Sequence, residues 1–365
     1  MRLALVLVLT WLCGPAQALS ISFINPGRSD EVYWVSASQA MQAAARSLDI
    51  TLEVLYAERS PEQALALGRQ LAARPPAQRP DYVLLVNEKG TLVTNARVLG
   101  AAGIKTFAAF NGLLPQERQR WAPRRGLPLL LGSLEPDAEQ AGYLSAKALI
   151  DEGLRRSLAA PDGRLHLLAI AGDRSTPVSI RRNEGLRRAL NEYAARAELD
   201  EQVFADWRLE RAAELTPALL QRHPQTRLVW AGNDQMAFGA MQAAERGGAL
   251  SGRELLFAAI NNSLPALQAL QDGRLAAVVG GHFLAGAWAV VMLYDHHHGQ
   301  DFAAEGLEQE RPMFMLFGKA EARQYLARFG AGMPALDFRP YSKKLNPALT
   351  RYRFETRPLL LPGLP

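Results

Sequence analysis

From Ser20 onward, short apolar runs alternate with stretches whose apolar residues recur every three or four positions. The first pattern is that of strands buried on both faces and the second that of amphipathic helices, so the alternation predicts parallel sheets covered by helices. Residues 21–24 read as a strand, and 32–48 as a helix with Trp34, Met41, Ala45 and Leu48 on one face. A strand at 51–56 comes next. Ser60, Pro61 and Glu62 then signal the start of a helix reaching residue 73. Strands at 82–86, 104–110 and 129–132 follow, with a helix near 94–102 after the first and a basic connector before the last.

A second series has the same grammar. It runs helix 137–154, strand 165–170, helix 180–195, strand 203–206, helix 212–223, strand 228–231 and helix 235–246. It continues with strand 255–260, helix 264–271, strand 276–280 and an apolar helix at 285–297. The fold class implied is α/β, with two doubly wound parallel-sheet lobes joined by a hinge of crossover segments. The chain has 365 residues, more than one core usually organises. The N-terminal lobe is expected to take 19–130 and about 283–310, and the C-terminal lobe 131–281 and about 311–318. Residues 319–365 form an extension packed on the lobes, with Leu336, Phe338, Tyr341, Leu345 and Leu349 as its apolar side.

Doubly wound sheets bind ligands outside the carboxyl ends of their strands. The residues following the strands here are Asn25, Asn87-Glu88, Asn111, Gly172-Asp173, Trp207-Arg208, Asn233-Asp234, Asn261-Asn262 and His282. Amides and aromatics recur where a site is expected. Asn and Asp also end strands and cap helices, and Asp234 and Ser263 read as caps.

The chain opens with Arg2, an apolar run from residue 3 to 12 and then Ala16-Gln17-Ala18, the layout of a secretory signal peptide (1–18) cleaved after Ala18. The protein is therefore expected in the periplasm. The single cysteine, Cys13, lies in this leader, where bulky Trp11 and Leu12 argue against lipidation. The mature chain then has no disulfide or thiolate chemistry. A formal net charge of +5 is spread thinly, and the densest basic stretch, ERQRWAPRRG at 117–126, reads as a solvated connector broken by Pro123. No nucleic-acid partner is expected.

Three motifs carry a family resemblance: YWVSASQAM (33–41), RRNEGLRRAL (181–190) and AGNDQMAFGAMQA (231–243). Over about residues 20–316 the chain resembles the periplasmic ribose-binding-protein family, the type I sugar-binding proteins of ABC transporters. The resemblance implies that Tyr33 and Trp34 pack on one face of a sugar ring and Trp207 on the other. It implies that Arg182 and Asn233 bond ligand hydroxyls, with Glu31 near a further polar contact. Departures are equally informative. Asn111 and Asn261 stand where the family usually has acids, and Gly281-His282 where it has a glutamine, so the identity of the ligand does not carry over.

An aromatic face suits the C–H face of a sugar, while Asn and Arg supply planar arrays of donors and acceptors for its rim. The ligand-binding residues expected are thus Tyr33, Trp34, Asn111, Arg182, Trp207, Asn233 and Asn261, with Glu31 and His282 as further contacts. The adjacent His296, His297 and His298 diverge by about 100° on a helix and do not converge on one ion. His166 reads as a core or lobe-interface residue. No catalytic residue, metal ligand or cofactor motif is identified, so no enzyme is expected. The function implied is a monomeric solute receptor with a carbohydrate-like ligand, serving an ABC permease or, alternatively, a membrane sensor protein.

Overall fold

In the computed structural model, which describes residues 18–363, the chain builds two six-stranded sheets. Across the first lie β2 (Thr51–Tyr56), β1 (Ser20–Asn25), β3 (Tyr82–Leu85), β4 (Lys105–Ala109), β5 (Leu130–Pro136) and β11 (Glu308–Arg311), all parallel. Across the second lie β7 (Ala197–Phe204), β6 (Leu165–Ala171), β8 (Leu228–Ala231), β9 (Leu256–Ile260), β10 (Ala277–Gly280) and β12 (Met315–Phe317). Only β12 runs antiparallel, against β10. Central strands such as β3, β6 and β8 are buried along their whole length, because helices cover both faces of each sheet.

The helices are α1 (Val32–Ser47), α2 (Pro61–Ala73), α3 (Thr91–Ala101), α4 (Pro115–Trp121), α5 (Ala138–Arg155) and α6 (Pro177–Glu192). They continue with α7 (Leu209–Arg222), α8 (Asp234–Arg246), α9 (Leu264–Asp272), α10 (Ala285–His297), α11 (Lys319–Phe329) and α12 (Thr356–Leu360). The chain passes between the lobes three times: from β5 to α5, from β10 to α10 and from β11 to β12.

The two-lobe α/β architecture agrees with the periodicity, and several boundaries differ. Strand β5 belongs to the first sheet through Pro136, which pairs with Arg311 of β11, so the division expected at 130/131 falls later. The connector at 117–126 is partly helical. Pro115 starts α4, and the Glu117 carboxylate accepts from Leu114 N at 2.8 Å, satisfying a free donor at the helix start. Strand β7 is longer than expected because its early residues, Glu198, Asp200 and Glu201, are polar at the edge of the sheet. Strand β11 is wholly polar and β12 only three residues long, so neither carries an apolar pattern. The leader lies outside the described residues, apart from Ala18.

His166, in β6, is a buried residue bonded to Asp200 at 2.6 Å and Asp162 at 3.0 Å. It sits near the start of its strand, at the end of the sheet away from the cleft described below. His296 and His297 end α10, where the His296 ring meets the Tyr82 hydroxyl at 3.0 Å.

Helix α10 shows why the chain continues past the second sheet. Its sequence, AGAWAVVMLYDHH, is apolar almost all round, and such a helix must be covered on every side. Helix α1 and strands β4 and β5 cover part of it. The C-terminal tail covers the rest: Phe338, Tyr341 and Phe354 pack on Trp288 with ring centroids 5.1, 4.6 and 5.3 Å away. Of the five apolar tail residues expected to pack, Leu345 is exposed instead. Truncating Trp288 to Ala should cost about 3–5 kcal/mol of stability by opening a cavity under the tail. Urea unfolding measures this, and an unchanged midpoint would show that the tail contributes no packing.

Candidate functional site

The strand ends of the two sheets face each other across a cleft. A cavity between them is lined by Glu31, Tyr33, Trp34, Asn111, Arg182, Trp207, Asn233, Asn261 and His282. All nine residues singled out in the sequence therefore meet in one place. Glu31 precedes α1, and Tyr33 and Trp34 lie in its first turn. Asn111 follows β4, Arg182 lies on α6, and Trp207, Asn233, Asn261 and His282 follow β7, β8, β9 and β10.

The aromatic side chains are held by close backbone approaches. The indole of Trp34 lies on Gly27, and that of Trp207 on Gly172; a Cβ at either glycine would stand 2.1 or 2.2 Å from ring carbons. Trp207 also donates from Nε1 to Asp173 Oδ2 at 2.7 Å. Asp173 is buried, yet bonds from Thr176, Ser175 and Trp207 outweigh that burial and hold its pKa below the usual carboxylate value.

Arg182 is 4% exposed. Its Nη1 donates to Gly232 O at 2.6 Å, and its Nη2 lies 3.0 Å from His282 Nε2. Its guanidinium carbon stands 5.7 Å from the centre of the Trp207 ring and 5.9 Å from that of Phe314. Burial pushes its pKa down to about 10, with Tyr33 and Asp234 partly offsetting it, so it stays charged at neutral pH. Because Arg is only a donor, His282 Nε2 must accept, and the ring proton sits on Nδ1. The imidazole is stacked between Tyr33 and Phe314, at centroid distances of 4.8 and 4.3 Å.

The amides are less free than their positions in the sequence imply. Asn233, not Asp234, caps α8: its extended backbone (φ −149°, ψ 173°) lets Oδ1 accept from Met236 N at 2.8 Å. Its Nδ2 donates to Trp207 O at 3.2 Å. Asn261 donates to Asp234 at 3.0 Å. Ser263 caps α9. Asn111 Oδ1 accepts from Val178 N at 3.1 Å across the cleft, joining the first lobe to the start of α6 and leaving its amide donor for other partners.

Arg59, Phe110 and Val178 also line the cavity and were not singled out; Glu88 appeared only as a residue following a strand. Arg59 bridges two carboxylates, reaching Glu88 at 2.7 Å and Glu31 at 2.9 Å. Burial opposes its charge, but Glu88 and Glu31 outweigh this and hold its pKa above the ordinary guanidinium value. Burial raises the Glu88 pKa, with Arg59 offsetting part of the effect. Arg59, Phe110, Trp207 and Asn261 all have positive φ, of 62°, 67°, 63° and 95°. Each such left-handed residue costs on the order of 1–3 kcal/mol and tends to gather at functional sites. A sequence shows no such signal, since none of the first three residues favours this conformation.

Burial, and then the nearby Arg182 charge, hold the His282 pKa well below 6.5. The folded protein thus binds fewer protons than the unfolded chain below about pH 6.5, so this residue makes stability fall as pH drops from 7 toward 5. His282→Gln should flatten that dependence. Thermal melts across pH 5–7 check it, and parallel profiles for the two proteins would refute it.

The profile of the periplasmic binding protein domain family matches residues 21–301. A periplasmic sugar-binding protein from Pseudomonas fluorescens is 40% identical, with a TM-score of 0.83 over 94% of this chain and 99% of that one. A solute-binding protein of an ABC transporter from Actinobacillus succinogenes, solved with D-allose, is 20% identical with a TM-score of 0.70, covering 84% of this chain and 99% of that one. One from Bacillus halodurans, solved with myo-inositol, is 19% identical with a TM-score of 0.67, covering 86% and 98%. No curated protein matches the chain. Among the described residues no helix is long and apolar enough to cross a membrane. The family and these neighbours are binding proteins rather than enzymes. The chain belongs to the periplasmic binding protein family.

Proposed function

We propose that the protein captures a neutral, polyhydroxylated molecule of sugar size between its lobes and presents it to an ABC permease, without transforming it. The observation that carries this reading is the composition of the cavity wall. Tyr33, Trp34, Phe110 and Trp207 offer aromatic surface, while Glu31, Glu88, Arg59 and Arg182 line the same space. Two carboxylates and two guanidiniums leave no formal excess of either sign, which suits a neutral ligand with many hydroxyls. The free amide donor of Asn111, the Arg182 fork and the two carboxylates then act as rim partners.

Closure follows from the placement of these groups on both lobes. A ligand that touches both is bound better by the closed form and shifts the population toward it. The bond from Val178 N to Asn111 Oδ1 spans the cleft, so parting of the lobes would have to break it. The sugar-binding relative from Pseudomonas fluorescens, at 40% identity, supports the ligand class; the more distant neighbours share the fold.

A thermal-shift panel of D-galactose, D-allose, L-arabinose and myo-inositol, run beside D-galacturonate and D-glucosamine, tests the reading. At 100 times its dissociation constant a ligand stabilises by about 2.7 kcal/mol. At least one neutral compound should raise the melting temperature and be recovered unchanged. Arg182→Ala should weaken its binding about 10- to 100-fold through loss of charge-assisted hydrogen bonds. Stabilisation by the charged sugars alone, or turnover of the bound compound, would overturn the proposal. Asn233→Ala is the poorer probe because it also removes the cap of α8.

A further inference from the structure

We propose that the C-terminal strap, residues 330–363, is a positioning element of the cleft. It ties the lobes together across the crossovers and supports the two segments that carry His282 and Phe314, so its contacts set how far the receptor opens. The inference rests on the reading of the protein as a hinged receptor.

The strap leaves α11, which packs on α9 of the second lobe, and crosses to the first. Phe338 N donates to Ser47 Oγ at 3.2 Å, at the end of α1. The chain then wraps the carboxylate of Asp295, on the last turn of α10. Asp295 is fully buried and accepts from Ser342 Oγ at 2.5 Å, Lys343 N at 2.8 Å, Lys344 N at 3.1 Å and Tyr352 OH at 3.0 Å. A second buried carboxylate, Glu305, pairs with Lys343 and accepts from Tyr352 N at 3.1 Å. Glu305 also meets Arg311 at 3.3 Å, where the chain leaves β11 to cross between the lobes.

The strap then returns. Thr356 Oγ1 donates to Met313 O at 3.1 Å, and Arg357 pairs with Glu321 on α11 at 2.9 Å. Gln324 Nε2 donates to Pro362 O at 2.8 Å. The strap is thus anchored on one lobe, then the other, and adds two passages to the three crossovers.

Thr356 stands where two of those crossovers, β10 to α10 and β11 to β12, come together. Its methyl group occupies the space a side chain at Gly281 would need, 2.5 Å from an ideal Cβ, and Gly281 holds φ +106°. Gly281 precedes His282, and Met313 precedes Phe314, the two rings stacked beside Arg182. One residue of the strap therefore touches the backbone neighbour of each ring without itself lining the cavity. Rotation of the lobes about the crossovers must slide the strap or break one of its anchors. Stripping buried carboxylates of their donors is costly, so the strap favours the closed form. Ligand affinity scales with the closed fraction.

With Cys13, the one cysteine of the chain, replaced by serine, spin labels at Gln63→Cys on α2 and Glu214→Cys on α7 report lobe separation alone. Pulsed-dipolar distance distributions are compared, without ligand, for the labelled parent and for Thr356→Val, Thr356→Ser and Glu321→Gln in that background. Thr356→Val removes only the hydroxyl bond to Met313, and Glu321→Gln weakens a partly exposed anchor, so at least one variant stays folded. Thr356→Val and Glu321→Gln should each raise the open-to-closed ratio about fivefold or more, the low end of typical coupling between sites. Thr356→Ser, which keeps the hydroxyl bond to Met313 and gives up only the methyl contact with Gly281, should lie closer to the parent ratio than Thr356→Val. Parent-like ratios in both weakened variants, with two populations in the parent, would overturn the role of the strap alone. A single fixed separation in the parent would overturn the hinged reading and this inference with it.

Discussion

Parallel pairing sends the carboxyl end of every strand but β12 to the same edge of its sheet, and the rest of this molecule depends on that constraint. With three crossovers joining the sheets, the two edges are brought face to face. Residues as distant in the chain as Glu31 and His282 then share one cavity. The apolar runs build the sheets, and the residues that stop them become the wall of the cleft. Chemistry at the site is thus a by-product of how strands end.

Such a wall carries costs, and the structure shows how neighbouring groups offset them. A guanidinium as buried as Arg182 is unfavourable by itself. Carbonyl and imidazole acceptors and two aromatic faces surround it, but no carboxylate bonds it. Arg59 is arranged the opposite way, clamped between Glu31 and Glu88. Left-handed backbone at Arg59, Phe110, Trp207 and Asn261 adds strain in the same region. Such strain persists only where the surrounding structure over-determines it, which is what a preorganised site requires.

The sequence was legible wherever one physical pattern dominates. Buried parallel strands are continuous apolar runs, and motifs around Tyr33, Arg182 and Asn233 led to the cavity. Legibility failed where tertiary context decides. Strand β11, written Glu-Gln-Glu-Arg, forms because β5 offers an edge. Arg59 reaches the cleft through two successive left-handed residues, Glu58 and Arg59, which no propensity favours. Asn233 lies at the cleft, but its side chain is committed to α8 and Trp207. Position can be read from pattern; the direction of a hydrogen bond cannot.

The tail connects these themes. An all-apolar α10 needs a cover, and the cover is a strap that travels between lobes instead of staying on one. If packing were its only role, contacts with α10 alone would suffice. The strap also satisfies two buried carboxylates and rests Thr356 against the segments carrying His282 and Phe314. Those segments are the covalent links between the two sheets, the places a hinged receptor would turn about. In a hinged receptor, a cover that must be moved for the lobes to part becomes a term in the opening equilibrium whatever its origin, and the same apolar helix that demanded it would then link core packing to ligand capture.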